Sequence, residues 1–197
     1  MSTAKTHVET DTVLAFLRHK VDREITALQI IEGGETSQAF SFSAQGKEFV
    51  VRFHRAAEGE TDANDYQKDK FVAIHFSSLD IPIPGIFDIG RVDERMFYAI
   101  TPKCAGLTLD KLTSREMQAV LPAFMRVLDA THNVDISQYS NYGTFDSQGN
   151  ALYKTWKHFI LDISDESQFK WLRLFQDTFL EKDIFELCFG CINELLR

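Results

Sequence analysis

The sequence predicts an α+β fold, in which a five-stranded antiparallel sheet with one inserted helix precedes a mainly helical region. Three observations support this prediction. Short apolar runs separated by Gly- and Pro-containing turns fill the first half. A helical pattern interrupts them after the third run, and apolar residues recur at helical spacing beyond residue 106. We therefore expect two domains, 1–103 and 104–197.

The N-terminal part is predicted to run helix, three strands, helix, two strands. Thr10 or Asp11 is expected to cap the first helix, and Asn64 or Asp65 the second, which follows a polar loop over 56–62. A Gly-Gly turn joins the first two strands, and the third is apolar on both faces apart from Arg52, as in a central strand. The expected strands are 28–32, 38–43, 48–54, 86–89 and 96–100.

The C-terminal part is predicted to be helical around one polar loop. Thr113 and Glu116 form the sequence pattern of a capping box, and Pro122 is expected to bend the helix that they open. His132 is expected to end this helix, where a cation suits the helix dipole. The loop is expected over 135–150, and further helices over 153–163, 166–177 and 179–196.

Composition excludes several classes of function. The net charge of −8 disfavours nonspecific binding to nucleic acid or anionic membranes. No apolar run approaches the roughly 18 residues of a membrane span, and the N-terminal residues lack the apolar core of a signal peptide. We therefore expect a cytoplasmic protein.

The three cysteines do not indicate a disulfide framework. Their odd number, in a sequence with no export signal, argues against structural pairing. Cys188 and Cys191 spell Cys-x-x-Cys, but they lie within a helical pattern and no second ligand pair follows. We interpret them as small residues on a buried helix face.

The Gly-Gly turn and Arg52 together suggest a phosphate site. A flexible hairpin lets backbone N–H groups approach phosphates, and a cation on the third strand can reach those phosphates from beneath. Arg52 would need a counter-charge, for which the next helix offers Asp65 and Asp69. This arrangement matches the small lobe of a protein-kinase-like fold. The alternative is that Arg52 points outward from an edge strand.

An ordered set of segments resembles the hygromycin B phosphotransferases, of the aminoglycoside phosphotransferase superfamily. The resemblance covers about residues 30–163. It is carried by EGGETSQAFSF, FVVRF, KDKF, LDIPIPGIFDIG, CAGLTL, YGTFD and TWKHFI.

The resemblance implies ATP-dependent phosphorylation of an aminoglycoside hydroxyl, with Mg²⁺ as cofactor. Arg52 would replace the usual strand lysine, with Asp69 as its partner. A guanidinium can hold phosphate bidentately but needs more room than an ammonium. By resemblance, nucleotide would be bound by Gly33, Gly34, Ser37, Arg52 and Asp69, with adenine at the hinge residues Lys103 and Cys104.

The catalytic residues that the resemblance calls for are absent from these 197 residues. The family pattern is a His-x-Asp loop with an Asn five residues beyond the Asp, and no His-x-Asp occurs. The nearest imitation, His132-Asn-Val-Asp135 with Asn141 and Asp146 following, fails because Ser140 stands where the Asn is required. We expect a small lobe plus the first helices of a large lobe, cut before the catalytic loop, without catalytic or metal-binding residues.

Three hypotheses follow. The chain is part of an aminoglycoside kinase and inactive alone, or a noncatalytic nucleotide-binding or interaction module of that fold, or an unrelated α+β domain. The resemblance disfavours the third. Because large exposed apolar surfaces seldom persist in monomers, we also expect self-association or partner binding through uncovered helix faces. These faces are expected around Phe159, Phe169, Trp171 and Phe185.

Overall fold

The computed structural model describes residues 6–34, 36–56 and 65–196, with the side chains of Asp65 and Gln168 left out. The chain divides into two compact units, Met1–Asp135 and Ile136–Arg197, each considered separately. The predicted lobe boundary at residues 103 and 104 is a different division and stays a prediction.

The first unit contains the predicted five-stranded antiparallel sheet, and the structure gives its strand order as β1-β2-β3-β5-β4. β3 is its central strand. A short 3₁₀ turn, Leu109–Lys111, precedes the last helix. The elements are α1 (Thr10–Lys20), β1 (Thr26–Ile31), β2 (Gln38–Ala44), β3 (Lys47–Arg55), α2 (Asp65–Phe76), β4 (Asp88–Arg91), β5 (Met96–Pro102) and α3 (Ser114–His132).

The two faces of this sheet carry different clusters. Because side chains alternate along a strand, Val51 and Phe53 of β3 lie on the face that packs against Val13 and Leu17 of α1. This is the larger core of the unit. The opposite face carries a smaller buried cluster of Ala56, Tyr66, Phe97 and Ala99. β3 is therefore covered on both faces, as its apolar sequence predicts.

The helix starts differ in part from the predictions. Glu9, not Thr10 or Asp11, occupies the N-cap of α1, and its side chain makes no capping hydrogen bond. Thr10 and Asp11 lie inside the first turn. The predicted cap Asn64, and all but the first residue of the predicted loop over 56–62, fall outside the described residues. α2 is described from Asp65 onward.

α3 matches its prediction closely. The Thr113 side chain accepts from the Glu116 backbone N–H, and the Glu116 carboxylate accepts from the Thr113 N–H, which completes the capping box. Pro122 lies inside the helix, and His132 is its last residue. Within the described part of the chain, neither α3 nor another helix has the length and apolar character needed to cross a bilayer.

The second unit is less regular than predicted. A hairpin of β6 and β7 begins inside the predicted loop, and left-handed Lys170 (φ 51°) divides the predicted 166–177 helix. β6 contains Gly143 and β7 has only three residues, so neither gives a clear strand pattern in the sequence. A 3₁₀ turn, Asp162–Ser164, follows α4. The elements are β6 (Tyr142–Phe145), β7 (Ala151–Tyr153), α4 (Trp156–Leu161), α5 (Glu166–Phe169), α6 (Trp171–Asp177) and α7 (Lys182–Leu195).

Two predictions about helix faces in this unit are corrected. Cys188 and Cys191 are exposed on α7, so the buried-face interpretation was wrong. Three of the four aromatic residues expected to be uncovered are partly covered: Trp171 lies 4.4 Å from Phe185 between ring centroids, and Phe159 lies 5.4 Å from Tyr153. Of the four, only Phe169 is exposed. Other apolar side chains are more exposed, including Phe179 and Leu187.

Candidate nucleotide-binding site

Arg52 lies on the face of the sheet opposite α1. Its neighbours across the strands are Ala39 of β2 and Ala99 of β5. Methyl side chains on both sides leave room for the long Arg52 stem and guanidinium. Sequence reasoning left open whether Arg52 points outward from an edge strand, and its position in the central strand excludes that alternative.

The guanidinium of Arg52 is held from two directions by α2. Its Nη2 donates to Asp69 Oδ2 at 2.6 Å, and its Cζ lies 5.0 Å from the centroid of the Tyr66 ring. Tyr66 and Asp69 are three residues apart and so occupy one face of the helix. The Arg52 side chain nevertheless retains 37% of its exposure, so it can contact an anion from solvent.

A small pocket opens beside this ion pair. Its volume is about 180 Å³. Its lining includes the Arg52 guanidinium and the hydroxyls of Thr36 and Ser37, which are donors that suit a phosphate group, while the Asp69 carboxylate accepts from Arg52. It is lined by Thr36, Ser37, Arg52, His54, Tyr66, Asp69 and Phe97.

The Gly-Gly turn leads directly into the pocket. Gly33 and Gly34 both have positive φ, of 103° and 73°, which L side chains rarely adopt. A Cβ at Gly33 would meet nothing within 4 Å, so its surroundings are open to a ligand. A Cβ at Gly34 would lie 3.2 Å from the carbonyl oxygen of Ser37, so this side of the turn is closed tightly.

The structure brings together three of the seven predicted site residues. Ser37, Arg52 and Asp69 line one pocket, and the glycines form the turn that precedes Ser37. Lys103 and Cys104 lie outside it, just after β5, where the Lys103 N–H and Nζ donate to the Glu48 carbonyl and carboxylate oxygens. Cys104 is exposed. The roles of all seven stay predictions.

Sequence reasoning missed four lining residues, although two of them, His54 and Tyr66, carried a signal in the sequence. His54 follows Arg52 by two positions and so shares its face of β3. Tyr66 precedes Asp69 by three positions on one helix face. Phe97 is the β5 partner of His54. Thr36 carried no comparable signal, because only the folded turn places it beside the pocket.

The residues that imitate a catalytic loop serve other contacts. The Asp146 carboxylate accepts from the backbone N–H groups of Gln148 and Asn150 in the β6–β7 turn. Asn141 donates its side-chain amide to the Ala151 carbonyl. Across the described ranges, no three His, Cys, Asp or Glu side chains group as metal ligands. That the chain lacks the ligands for Mg²⁺ stays a prediction.

Comparison with known proteins confirms the resemblance inferred from the sequence. No family model matches the chain. A hygromycin-B 4-O-kinase from Escherichia coli is 36% identical over 174 residues, which are 88% of this chain and 49% of that protein. The chain thus spans about half the length of the curated relative that it matches.

Solved structures confirm the kinase-like fold. The crystal structure of aminoglycoside phosphotransferase APH(4)-Ia matches with a TM-score of 0.76 and 34% identity, over 84% of this chain and 53% of that one. A thermostable APH(4)-Ia mutant, in ternary complex with AMP-PNP and hygromycin B, matches with a TM-score of 0.75 and 33% identity, over 88% and 55%. The first sheet and helices of this chain therefore have the fold of that phosphotransferase.

Proposed function

From this similarity to hygromycin phosphotransferases, we propose that the chain carries the nucleotide-binding part of an aminoglycoside phosphotransferase. The small lobe, residues 1–103, would hold ATP. The observation that supports this proposal most directly is that Ser37, which follows the Gly-Gly turn, and Arg52 line one pocket. In this proposal Arg52 binds phosphate oxygens, and the turn closes over them with backbone N–H groups.

The residues around this pocket would orient Arg52 and contact the base. Asp69 orients the guanidinium of Arg52. Val50 lies two residues before Arg52 on the same face of β3, and its β5 partner is Thr101. These two side chains offer a small surface for the base beside the phosphate pocket. The chain then passes through Lys103 and Cys104, whose backbone groups would meet the edge of adenine.

Nucleotide titration tests the proposal. We expect AMP-PNP to bind the chain and Arg52→Ala to weaken binding about tenfold or more, since hydrogen bonds to charged groups contribute about 1.5–3 kcal/mol. Arg55→Ala is the matched control, because Arg55 lies on the same strand and pairs with Asp93 away from the pocket. Equal weakening by both variants would reject a specific role for Arg52. No binding by the unmodified chain would reject the proposal.

We also propose that these residues bind nucleotide without transferring phosphate. Phosphoryl transfer needs a carboxylate to orient the acceptor hydroxyl, and no His-x-Asp motif is present in the 197 residues. ATP incubated with hygromycin B and this chain should yield no phosphorylated antibiotic. Turnover above the background rate would contradict this proposal. A noncatalytic nucleotide-binding module is the second candidate, and it differs in showing no affinity for hygromycin B.

Exposed apolar side chains support a proposal of self-association. Phe179 is 93% and Leu187 68% exposed in the second unit. Burying such side chains is worth roughly 1.5–3 kcal/mol each. We expect the sedimentation coefficient to rise with concentration, and Leu187→Glu to reduce the rise. A monomer at all concentrations would contradict this proposal.

A further inference from the structure

The first described residues of the chain, Thr6–Val8, contact the arm of the Gly-Gly turn that bears Ser37. The Thr6 N–H donates to the Thr36 carbonyl at 3.0 Å. The Val8 N–H donates to the Gln38 side-chain Oε1 at 2.5 Å. The two acceptors belong to the residues on either side of Ser37. We call residues Thr6–Val8 the strap.

The strap also contacts the central strand. Thr6 Oγ1 accepts from the Arg55 backbone N–H at 3.0 Å. Arg55 directly follows His54, another lining residue of the pocket. Thr6 therefore joins the end of β3 to the turn through one backbone and one side-chain hydrogen bond.

Thr6 lies where the pairing of β2 and β3 ends, and its hydrogen bonds take the place of that pairing. β2 and β3 pair as far as Gln38 and Phe53. Continuing that register by two residues would make Thr36 and Arg55 partners, but no such pair forms, and Thr6 bonds to both instead. The strap thus fills the fork where the turn leaves the sheet. Without it, the hydrogen-bonding groups of Thr36 and Arg55 would face the gap.

Burial distinguishes this contact from an incidental surface bond. Thr6 and Gln38 are among three buried polar residues of the described chain, at 5% and 7% exposure. Buried polar groups need their hydrogen-bond partners, because an unmade bond costs their full desolvation. His7, which lies between the two anchoring residues, is exposed. Only alternate residues of the strap therefore face the fork.

We propose that the strap is a positioning element that holds Ser37 over the pocket, with Thr6 and Gln38 as positioning residues for nucleotide binding. This inference rests on the proposed function. The strap limits movement of the turn on its Ser37 side, next to the two glycines of positive φ. Releasing it lets the turn sample open positions, which lowers nucleotide affinity through faster dissociation.

Hydrogen exchange and nucleotide kinetics test the proposal on the full chain. Thr6→Val removes the acceptor of the Arg55 N–H, and Gln38→Leu removes that of the Val8 N–H. Each should speed amide exchange at Gly33, Gly34 and Ser37, with Val51 exchange unchanged. Each should also raise the AMP-PNP dissociation rate about three- to tenfold, as expected for one neutral hydrogen bond.

Two further variants separate positioning from general destabilisation. Thr6→Ser keeps the hydroxyl, so its amide exchange in the turn and its AMP-PNP dissociation rate should equal those of the unmodified chain. His7→Ala should change neither quantity. Unchanged exchange in the turn of both Thr6→Val and Gln38→Leu would overturn the proposal, as would equally faster exchange at Val51. If the unmodified chain binds no AMP-PNP, the proposed function fails, but exchange in the nucleotide-free protein still decides whether the strap holds the turn.

Discussion

Arg52 and Asp69 form a 2.6 Å ion pair that joins the central strand to α2, although both side chains remain more than a third exposed. An exposed pair gains little Coulomb energy, because water and salt screen it. Its geometry therefore suits orientation of the guanidinium better than stabilisation of the fold. This distinction can be measured.

We predict a coupling energy of about 1 kcal/mol or less between Arg52 and Asp69 in a double-mutant cycle with alanine, measured by urea unfolding without nucleotide. The Lys103–Glu48 pair, at 2.8 Å and similar exposure, is the matched control and should give a similar value. A coupling several times larger for Arg52 and Asp69 alone would assign their pair a structural role.

Gly90→Ala should destabilise the first unit. A Cβ at Gly90 would lie 2.8 Å from the hydroxyl oxygen of Tyr98 and 3.0 Å from its ring, and Tyr98 is only 2% exposed. Relieving this overlap must displace a buried side chain, at a cost of about 1–3 kcal/mol. Urea unfolding measures the change.

Gly85→Ala is the control for that substitution. A Cβ at Gly85 would meet nothing within 4 Å, and this glycine has no positive φ. Gly85→Ala should therefore leave the free energy of unfolding unchanged or raise it by up to about 1 kcal/mol, because alanine restricts the unfolded chain. Equal losses for the two variants would show that the Tyr98 contact is not the cause.

Tyr98 should make the protein sensitive to alkaline pH. Burial raises the pKa of its hydroxyl, which donates to Asp88. Hydrogen bonding to Tyr98 and then to Asp88 raises the pKa of the Lys20 ammonium. Both groups hold protons more tightly in the folded state. Their contribution to stability is therefore complete below the ordinary pKa values, near 10, and is lost as pH rises above them.

Tyr98→Phe tests this assignment. At pH 8 it should lower the free energy of unfolding by about 1 kcal/mol, for one lost hydrogen bond. The difference in free energy of unfolding between the two proteins should narrow as pH rises above 10, because only the unmodified chain has a tyrosine at position 98 that ionises on unfolding. A difference in free energy of unfolding that stays constant up to pH 11.5 would contradict this prediction.

Thr113→Ala should cost about 1 kcal/mol, because it removes the N-cap of α3. The Thr113 hydroxyl, followed by its backbone N–H, lowers the pKa of Glu116. That contribution is present above the ordinary carboxyl pKa of 4.5 and is lost as pH falls. The difference in free energy of unfolding between the unmodified chain and Thr113→Ala should therefore shrink below pH 4.5. Ser114→Ala, one residue further on, should change stability by no more than about 0.5 kcal/mol.

Much of the first unit could be predicted because its signals are local. The apolar run of β3, the Gly-Gly turn and the Thr113–Glu116 box each depend on a few consecutive residues. The hairpin of β6 and β7 could not be predicted, because its short strands exist only through pairing with each other. The exposure of Cys188 could not be predicted either, since a helical pattern does not show which face other elements cover.

The sequence by itself determined the five strands and the place of Arg52 on the third, because periodicity is written along the chain, but its charges left both Asp65 and Asp69 as partners. Only the tertiary structure decided what meets those residues in space. It placed Tyr66 beneath the guanidinium and Thr6 in the fork between Thr36 and Arg55. The physical reason is that hydrogen bonds between residues 30 and 49 positions apart depend on chain path, which no local pattern records.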